Sequence, residues 1–422
     1  MLNEIFLTAL FTTLFCLLIF RLKFFGQFET GRILLVILFL SKVFAGILNA
    51  WIHWKYYDGG DSYDYFKQSG IVFEALSKHH DIKTFFQLVF APVTHAPFAE
   101  NIKPYVEAMG FFEDPGSYLL IRFNAFIRLF SFGIYGVHIV VFNFLVFVGL
   151  LYLYRFLYEL KRKLKKLFLF ILFLLPSSFF WLAGIHKDGV AIACIGIILF
   201  ILLQVTQKKF KLKQILLLII CSYLLFITRE FIFSMLIPVF VSIIIFQWSK
   251  KYSLLKIISV HVLFIAFIFS AKFISPSFNL PKKLSEQQLE FYRLIRSETV
   301  LPVTPLQPTF SGVLQNTPEA LEHCLFHPTI SEATSVVQFP FTIEIIFMIL
   351  FCGLCLLFSK LKINAFSLSL FLSAIYMFII LGVQVTNMGA LVRYKTIPMM
   401  LLLISFAFLL EKPFWRGKKK QT

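Results

Sequence analysis

The chain has 422 residues, 59% of them hydrophobic and 18% aromatic, with a mean hydropathy of +0.83. That balance excludes an ordinary soluble globular domain, whose apolar share is about half. The formal net charge of +18 does not point to nucleic acid, because Lys and Arg cluster in short loops between apolar runs, as membrane topology requires. Apolar runs of about 18 to 25 residues recur throughout, too long for membrane β-strands of about 10 residues. The predicted fold class is therefore all-α, a polytopic integral membrane protein with residues 1–422 forming one membrane domain.

The first apolar run, 5–20, follows Glu4 and precedes Arg21 and Lys23. A signal peptide would carry its positive charge ahead of the run, so this is a retained span with its N-terminus outside. The second span, 33–52, returns to the outer face and opens into a long polar segment, 53–122. This segment holds the acidic cluster Asp58, Asp61 and Asp64 and short amphipathic helices, one of them around 73–88. A third span, 127–151, descends to Arg155, Lys161, Arg162, Lys163, Lys165 and Lys166, the strongest basic cluster.

The fourth span rises from Leu167 through Pro176 to His186-Lys187-Asp188, and the fifth, 190–205, descends to Lys208, Lys209, Lys211 and Lys213. The sixth ends at Thr228-Arg229-Glu230, the seventh at Lys250 and Lys251, and the eighth runs from Lys256 to about Ser275. A second outer segment, 276–340, is rich in Pro, Ser and Thr. The ninth span, 341–358, reaches Lys360 and Lys362, and the tenth climbs to Val385. The last, 397–410, ends among the basic residues of the C-terminus. This predicts about eleven spans, with the N-terminus outside and the C-terminus cytoplasmic.

Of the six cysteines, five lie in apolar runs, where they behave as small hydrophobes. Cys352 and Cys355 form a CxxC inside a helix with no matching pair, so neither a disulfide framework nor a metal site is implied. His261, inside the eighth span, is expected to be a packed, hydrogen-bonded histidine.

In this topology Asp58, Asp61, Asp64, His186-Lys187-Asp188, Arg229-Glu230 and Arg393-Tyr394-Lys395 fall on one side of the membrane. Ionisable groups beside apolar helix ends are expensive unless paired or wetted. Outer cations that break the positive-inside pattern suggest an anionic ligand at headgroup level, such as a lipid-linked sugar phosphate. Lys187, Arg229, Arg393 and Lys395 would hold its phosphate oxygens. Asp61 or Asp58 would take the proton from an acceptor hydroxyl, and His186, Asp188, Glu230, Tyr394 and Asp64 would support them. Asp58 and Asp61 could instead share a divalent cation, Mg or Mn, that neutralises a diphosphate.

Each motif has a structural alternative. Asp58 to Asp64 could be an exposed turn built on Gly59-Gly60. Arg229-Glu230 could be an ion pair at a tight turn, and Arg393 and Lys395 could be interfacial anchors that snorkel.

Three motifs occur in order: Asp58-Gly-Gly-Asp61-Ser-x-x-Tyr65, Pro176-Ser-Ser-x-x-Trp181-x-x-Gly184-x-x-Lys187-Asp188, and Asn387-x-Gly389-x-x-x-Arg393-Tyr394-x-x-x-Pro398. Together they resemble bacterial polytopic glycosyltransferases of the GT-C type and related envelope polysaccharide proteins. The resemblance implies a polyprenyl-phosphate sugar donor, Asp61 as base, Arg393-Tyr394 on the donor phosphate, and a catalytic face outside a bacterial-type inner membrane. Its implied partners are the lipid-linked donor, a glycan or lipid acceptor and membrane lipids, with no nucleic acid. The sequence departs from that plan in two ways: the acidic loop follows the second span rather than the first, and the acidic pair is spaced out as Asp58 and Asp61. The alternatives are an O-antigen or exopolysaccharide polymerase or ligase, a transporter or flippase of lipid-linked anionic substrates, and a non-catalytic envelope scaffold.

Overall fold

The computed structural model describes residues 2–57, 59–90, 99–248, 253–293, 300–333, 336–359 and 363–410. The protein is all-helical, 81% helix with no strand among the described residues. In chain order the helices are α1 Leu2–Arg21, α2 Arg32–Tyr57, α3 Gly60–Ser77, α4 Ile82–Phe90, α5 Lys103–Glu107, α6 Pro115–Ser131 and α7 Tyr135–Leu160. The chain continues with α8 Lys165–Phe173, α9 Pro176–Trp181, α10 Lys187–Thr206, α11 Lys213–Thr228, α12 Glu230–Trp248 and α13 Ser253–Ser270. Then come α14 Leu280–Arg293, α15 Phe310–Phe326, α16 Phe339–Phe358, α17 Ala365–Gln384, α18 Met388–Tyr394 and α19 Thr396–Ala407.

Among the described residues, seven helices are long and apolar enough to cross a membrane: α1, α2, α7, α10, α13, α16 and α17. The count becomes eight if α18 and α19, bent by 47° at Lys395, form one span. This is a helical membrane protein. The helices depart from the expected spans in several places, and α12, the expected seventh span, is not among these seven. The third span starts at Tyr135 rather than near residue 127, because Phe132 and Gly133 adopt left-handed backbone (φ 53° and 70°) and end α6. The fourth is broken into α8 and α9, since Pro176 cannot donate the next helical hydrogen bond. The sixth, α11, has only 16 residues.

The chain clusters into two compact units. The first comprises Met1–Arg155, Phe179–Phe200 and Leu212–Glu230; the second comprises Phe156–Ser178, Ile201–Lys211 and Phe231–Thr422. In the first unit α3 packs on α4 and α6, and its core joins Tyr65, Val72, Phe85, Leu88, Tyr118 and Ile121. Most of this core comes from the polar segment 53–122. Alongside it α1 lies on α2, with the Phe15 ring 4.3 Å from Phe144 and 6.3 Å from Phe39. In the second unit α17 is the central helix, contacting α13, α14, α15 and α19. Hydrocarbon gains little by leaving lipid for protein, so such association depends on close packing. Gly382 of α17 shows it: a Cβ there would stand 2.3 Å from the Ala320 carbonyl oxygen of α15.

Candidate functional site

The first unit brings several of the sequence-predicted residues together. α6 begins where Asp114, in extended backbone, accepts hydrogen bonds from the amides of Gly116 (3.0 Å) and Ser117 (3.4 Å). Pro115 occupies the first helical position, where its missing N–H costs nothing. A glycine is required next: a Cβ on Gly116 would stand 2.7 Å from the Ile227 carbonyl oxygen, so only glycine lets α6 meet the last turn of α11. That approach sets Asp114 beside the helix end that releases Arg229.

α10 supplies the other half. Gly184 turns the chain with φ +80°, and helix resumes at Lys187. The Lys187 ammonium lies 2.5 Å from Asp114 Oδ2. Asp188, in the same first turn, is buried and accepts both arms of Arg229, from Nε at 2.7 Å and from a terminal guanidinium nitrogen at 2.8 Å. Carboxylates are favoured at a helix N-terminus and a lysine is not, so Lys187 depends on its anionic neighbours. Asp61, exposed in the first turn of α3, is close enough for its charge to act on Lys187, as is Arg229. Three carboxylates and two cations therefore form one charge cluster.

Partial burial pushes the Asp114 carboxyl up, but hydrogen bonds from Lys187 and Ser117 and the lysine's charge outweigh it and hold the carboxyl below its usual value. Asp64, one turn beyond Asp61, is shifted the other way by burial and then by the Asp61 charge. His186 is buried, with Nε2 3.0 Å from Asn49 Oδ1 and its ring 5.9 Å from that of His53. Glu230 starts α12 in an exposed position. Asp58 lies outside the described residues, and with it the Asp58–Asp61 cation site. No group of three His, Cys, Asp or Glu side chains among the described residues is arranged to hold a metal.

The remaining expected residues belong to the second unit. Arg393 and Tyr394 end α18, with the guanidinium 5.8 Å from the Tyr394 ring centroid and that ring 6.4 Å from Phe291. Lys395, expected as a phosphate ligand, is 1% exposed. Its ammonium donates to the carbonyls of Cys324 (3.2 Å) and His327, which close the C-terminal end of α15. His261 packs as expected, with Nε2 2.9 Å from Ser369 Oγ.

Three residues escaped the sequence reading. Asp114 was missed although Asp-Pro followed by Gly-Ser is a helix-start signal. Lys42 of α2 and Glu344 of α16 are lone charges inside apolar runs, a signal in its own right. In the first unit, buried Lys42 donates to the Phe179 carbonyl at 3.4 Å, and Asn49 donates to that of Phe180 at 3.4 Å. In the second, buried Glu344 accepts from the amide (2.8 Å) and hydroxyl (2.7 Å) of Ser177.

Compared with known protein families, with curated proteins and with solved structures, the chain matches none of them.

Proposed function

We propose that this protein is a membrane-embedded glycosyltransferase that takes a sugar from a polyprenyl-phosphate or diphosphate donor at the extracytoplasmic face of a bacterial-type inner membrane. The proposed topology is eleven spans with the N-terminus outside and the C-terminus cytoplasmic, supported by the alternation of basic loops along the sequence. The observation that carries the function is the charge cluster of the first unit, in which Lys187 and Arg229 stand with Asp61 and Asp114 at the ends of apolar helices. In this reading a donor phosphate takes the place of Asp114 on Lys187, while Arg229, locked by Asp188, stabilises charge on the departing phosphate. Asp61, in the first turn of α3, accepts the acceptor's proton. Arg393 and Tyr394 are retained as donor contacts from the sequence resemblance, and a divalent cation would enter with a diphosphate.

The test compares a deletion strain complemented with wild type, Asp61→Asn or Lys187→Ala. Wild type restores surface glycans, whereas either variant lowers them and accumulates the lipid-linked donor. Identical glycans and no stalled donor in all three strains would overturn the proposal.

One observation favours a second reading, a flippase or transporter of lipid-linked anions. Such proteins use discontinuous helices and charges at membrane depth, and here the fourth span is broken while Lys42 and Glu344 sit inside apolar helices. A flippase predicts that loss of the protein leaves the lipid-linked sugar on the cytoplasmic side, shielded from membrane-impermeant reagents. A transferase predicts that it accumulates outside.

A further inference from the structure

We propose that a recess between α8 and α16 in the second unit binds an anionic phospholipid of the bilayer, with an acyl chain in the recess and the headgroup phosphate on Lys166. The site is separate from the charge cluster of the first unit and does not depend on the transferase reading. It begins with the basic cluster of Arg155, Lys161, Arg162, Lys163, Lys165 and Lys166, whose members have different fates. Arg155 pairs with Glu29 at 3.3 Å, Lys161 donates to the Phe408 carbonyl at 2.7 Å, and the Arg162 guanidinium lies 5.3 Å from the Tyr158 ring centroid. Lys163, Lys165 and Lys166 are exposed and form no ion pair among the described residues. Lys165 and Lys166 stand in the first turn of α8, where no side chain caps the helix and its free amides disfavour a cation. An anion beside them removes that conflict.

The recess supplies a place for the anion's apolar tail. Both α8 and α16 pack on α19, and between them opens a cavity of about 560 Å³. Among the described residues that line it, Lys166 carries the one charge and all the others are Leu or Phe. Phe347, Leu350, Phe351 and Leu354 share one face of α16 by their spacing. Leu350 and Leu354 are 61% and 42% exposed, so the recess is open sideways to hydrocarbon. On the other wall Lys166 lies one turn from Phe170, whose ring is 5.5 Å from that of Phe347. The lysine stem can follow this apolar wall while its ammonium stays at headgroup level.

Length and charge select the occupant. From Phe347 to Leu354 the α16 wall covers about 10 Å of helix axis at about 1.5 Å per residue. That lies within one leaflet, half of a hydrocarbon core of roughly 30 Å. A partner's membrane-spanning helix needs the full depth; an acyl chain does not. The exposed lysines at the mouth favour an anionic headgroup over a zwitterionic one, as basic pockets between membrane helices do on the cytoplasmic side. In the proposed topology this end of α8 faces the cytoplasm, so the lipid belongs to the inner leaflet.

The experiment uses the full-length protein in phosphatidylcholine nanodiscs doped with phosphatidylglycerol that carries a diazirine in one acyl chain. A parallel sample carries the same chain on phosphatidylcholine, and adducts are mapped by mass spectrometry. The phosphatidylglycerol probe should label α8 and α16 around Phe170 and Leu350 several-fold more than the phosphatidylcholine probe. Lys166→Gln should remove most of that preference, roughly fivefold being the worth of one lysine near an anionic surface, and high salt should weaken it. Lys213→Gln, which changes an exposed lysine in the first turn of α11, should leave it unchanged. Leu350→Trp, which fills the recess from an exposed position, should lower labelling by both probes. Equal labelling by the two probes, a preference unmoved by Lys166→Gln, or adducts no denser here than along the exposed faces of α1 and α13 would overturn the proposal. No readout involves a sugar donor, an acceptor or a glycan, so this proposal and the transferase reading fail separately.

Discussion

Lys187 and Lys395 are both lysines beside the ends of apolar helices, both expected to hold phosphate, and their surroundings are opposite. Lys187 opens α10, where free amides repel a cation and only carboxylates stabilise it, Asp114 by contact and Asp61 by its charge. Lys395 reaches the carbonyls that finish α15, where the helix dipole itself welcomes a cation. Lys42 repeats the second pattern on the Phe179 carbonyl. The end of the helix a lysine meets separates a structural tie from a cation whose partners are anions. An anionic ligand can replace an anionic neighbour; it cannot replace a main-chain carbonyl without uncapping a helix.

The largest effect expected from this contrast is on the locked pair. Asp188 and Arg229 have side chains 3% and 13% exposed, and removing one partner of a buried ion pair costs about 3–5 kcal/mol. Asp188→Ala should lower the thermal midpoint of the purified protein more than any other single change in the cluster. Lys395→Met comes next: it leaves two carbonyls at the end of α15 without their donor, each worth about 1–3 kcal/mol. Lys187→Met should cost less than about 1 kcal/mol, because the Asp114 side chain is 46% exposed and water can take over. Equal melting shifts for Lys395→Met and Lys187→Met would break the comparison.

Most of the helices were legible because apolar runs and basic loops are one-dimensional signals that the chain cannot hide. The errors fell where backbone geometry decides: at Phe132-Gly133, whose left-handed turn ends α6 inside an apolar stretch, and at Pro176, which splits the fourth span. Within the candidate site, Lys187, Asp188 and Arg229 were legible as misplaced charges. Asp114 was not, because its importance comes from a contact across 73 residues that depends on Gly116 admitting α6 to the end of α11. The fate of Lys395 was equally invisible, since nothing near it in the sequence announces the carbonyls of Cys324 and His327.

The smallest effect isolates the exchangeable pair. Burial raises the Asp114 carboxyl, and Lys187 and Ser117 more than reverse that, leaving its value below the ordinary one of about 3.9. A carboxyl lowered by folding contributes stability that is complete above its unfolded value and is lost as pH falls through the folded one. Asp64 has the opposite sign: raised by burial and by Asp61, it contributes stability that is complete below its unfolded value and lost as pH rises through the folded one. Asp114→Asn should therefore reduce the acid sensitivity of melting curves taken across the carboxylate range, leaving the part due to Asp81 and Glu332, whose carboxyls are also held low. In Lys187→Met the ammonium is gone while burial remains, so the Asp114 carboxyl should titrate higher than in wild type, by NMR of a labelled aspartate side chain. An unmoved titration would mean that Ser117 and the α6 amides alone hold this carboxylate, and Lys187 would then have no anion to exchange for a phosphate.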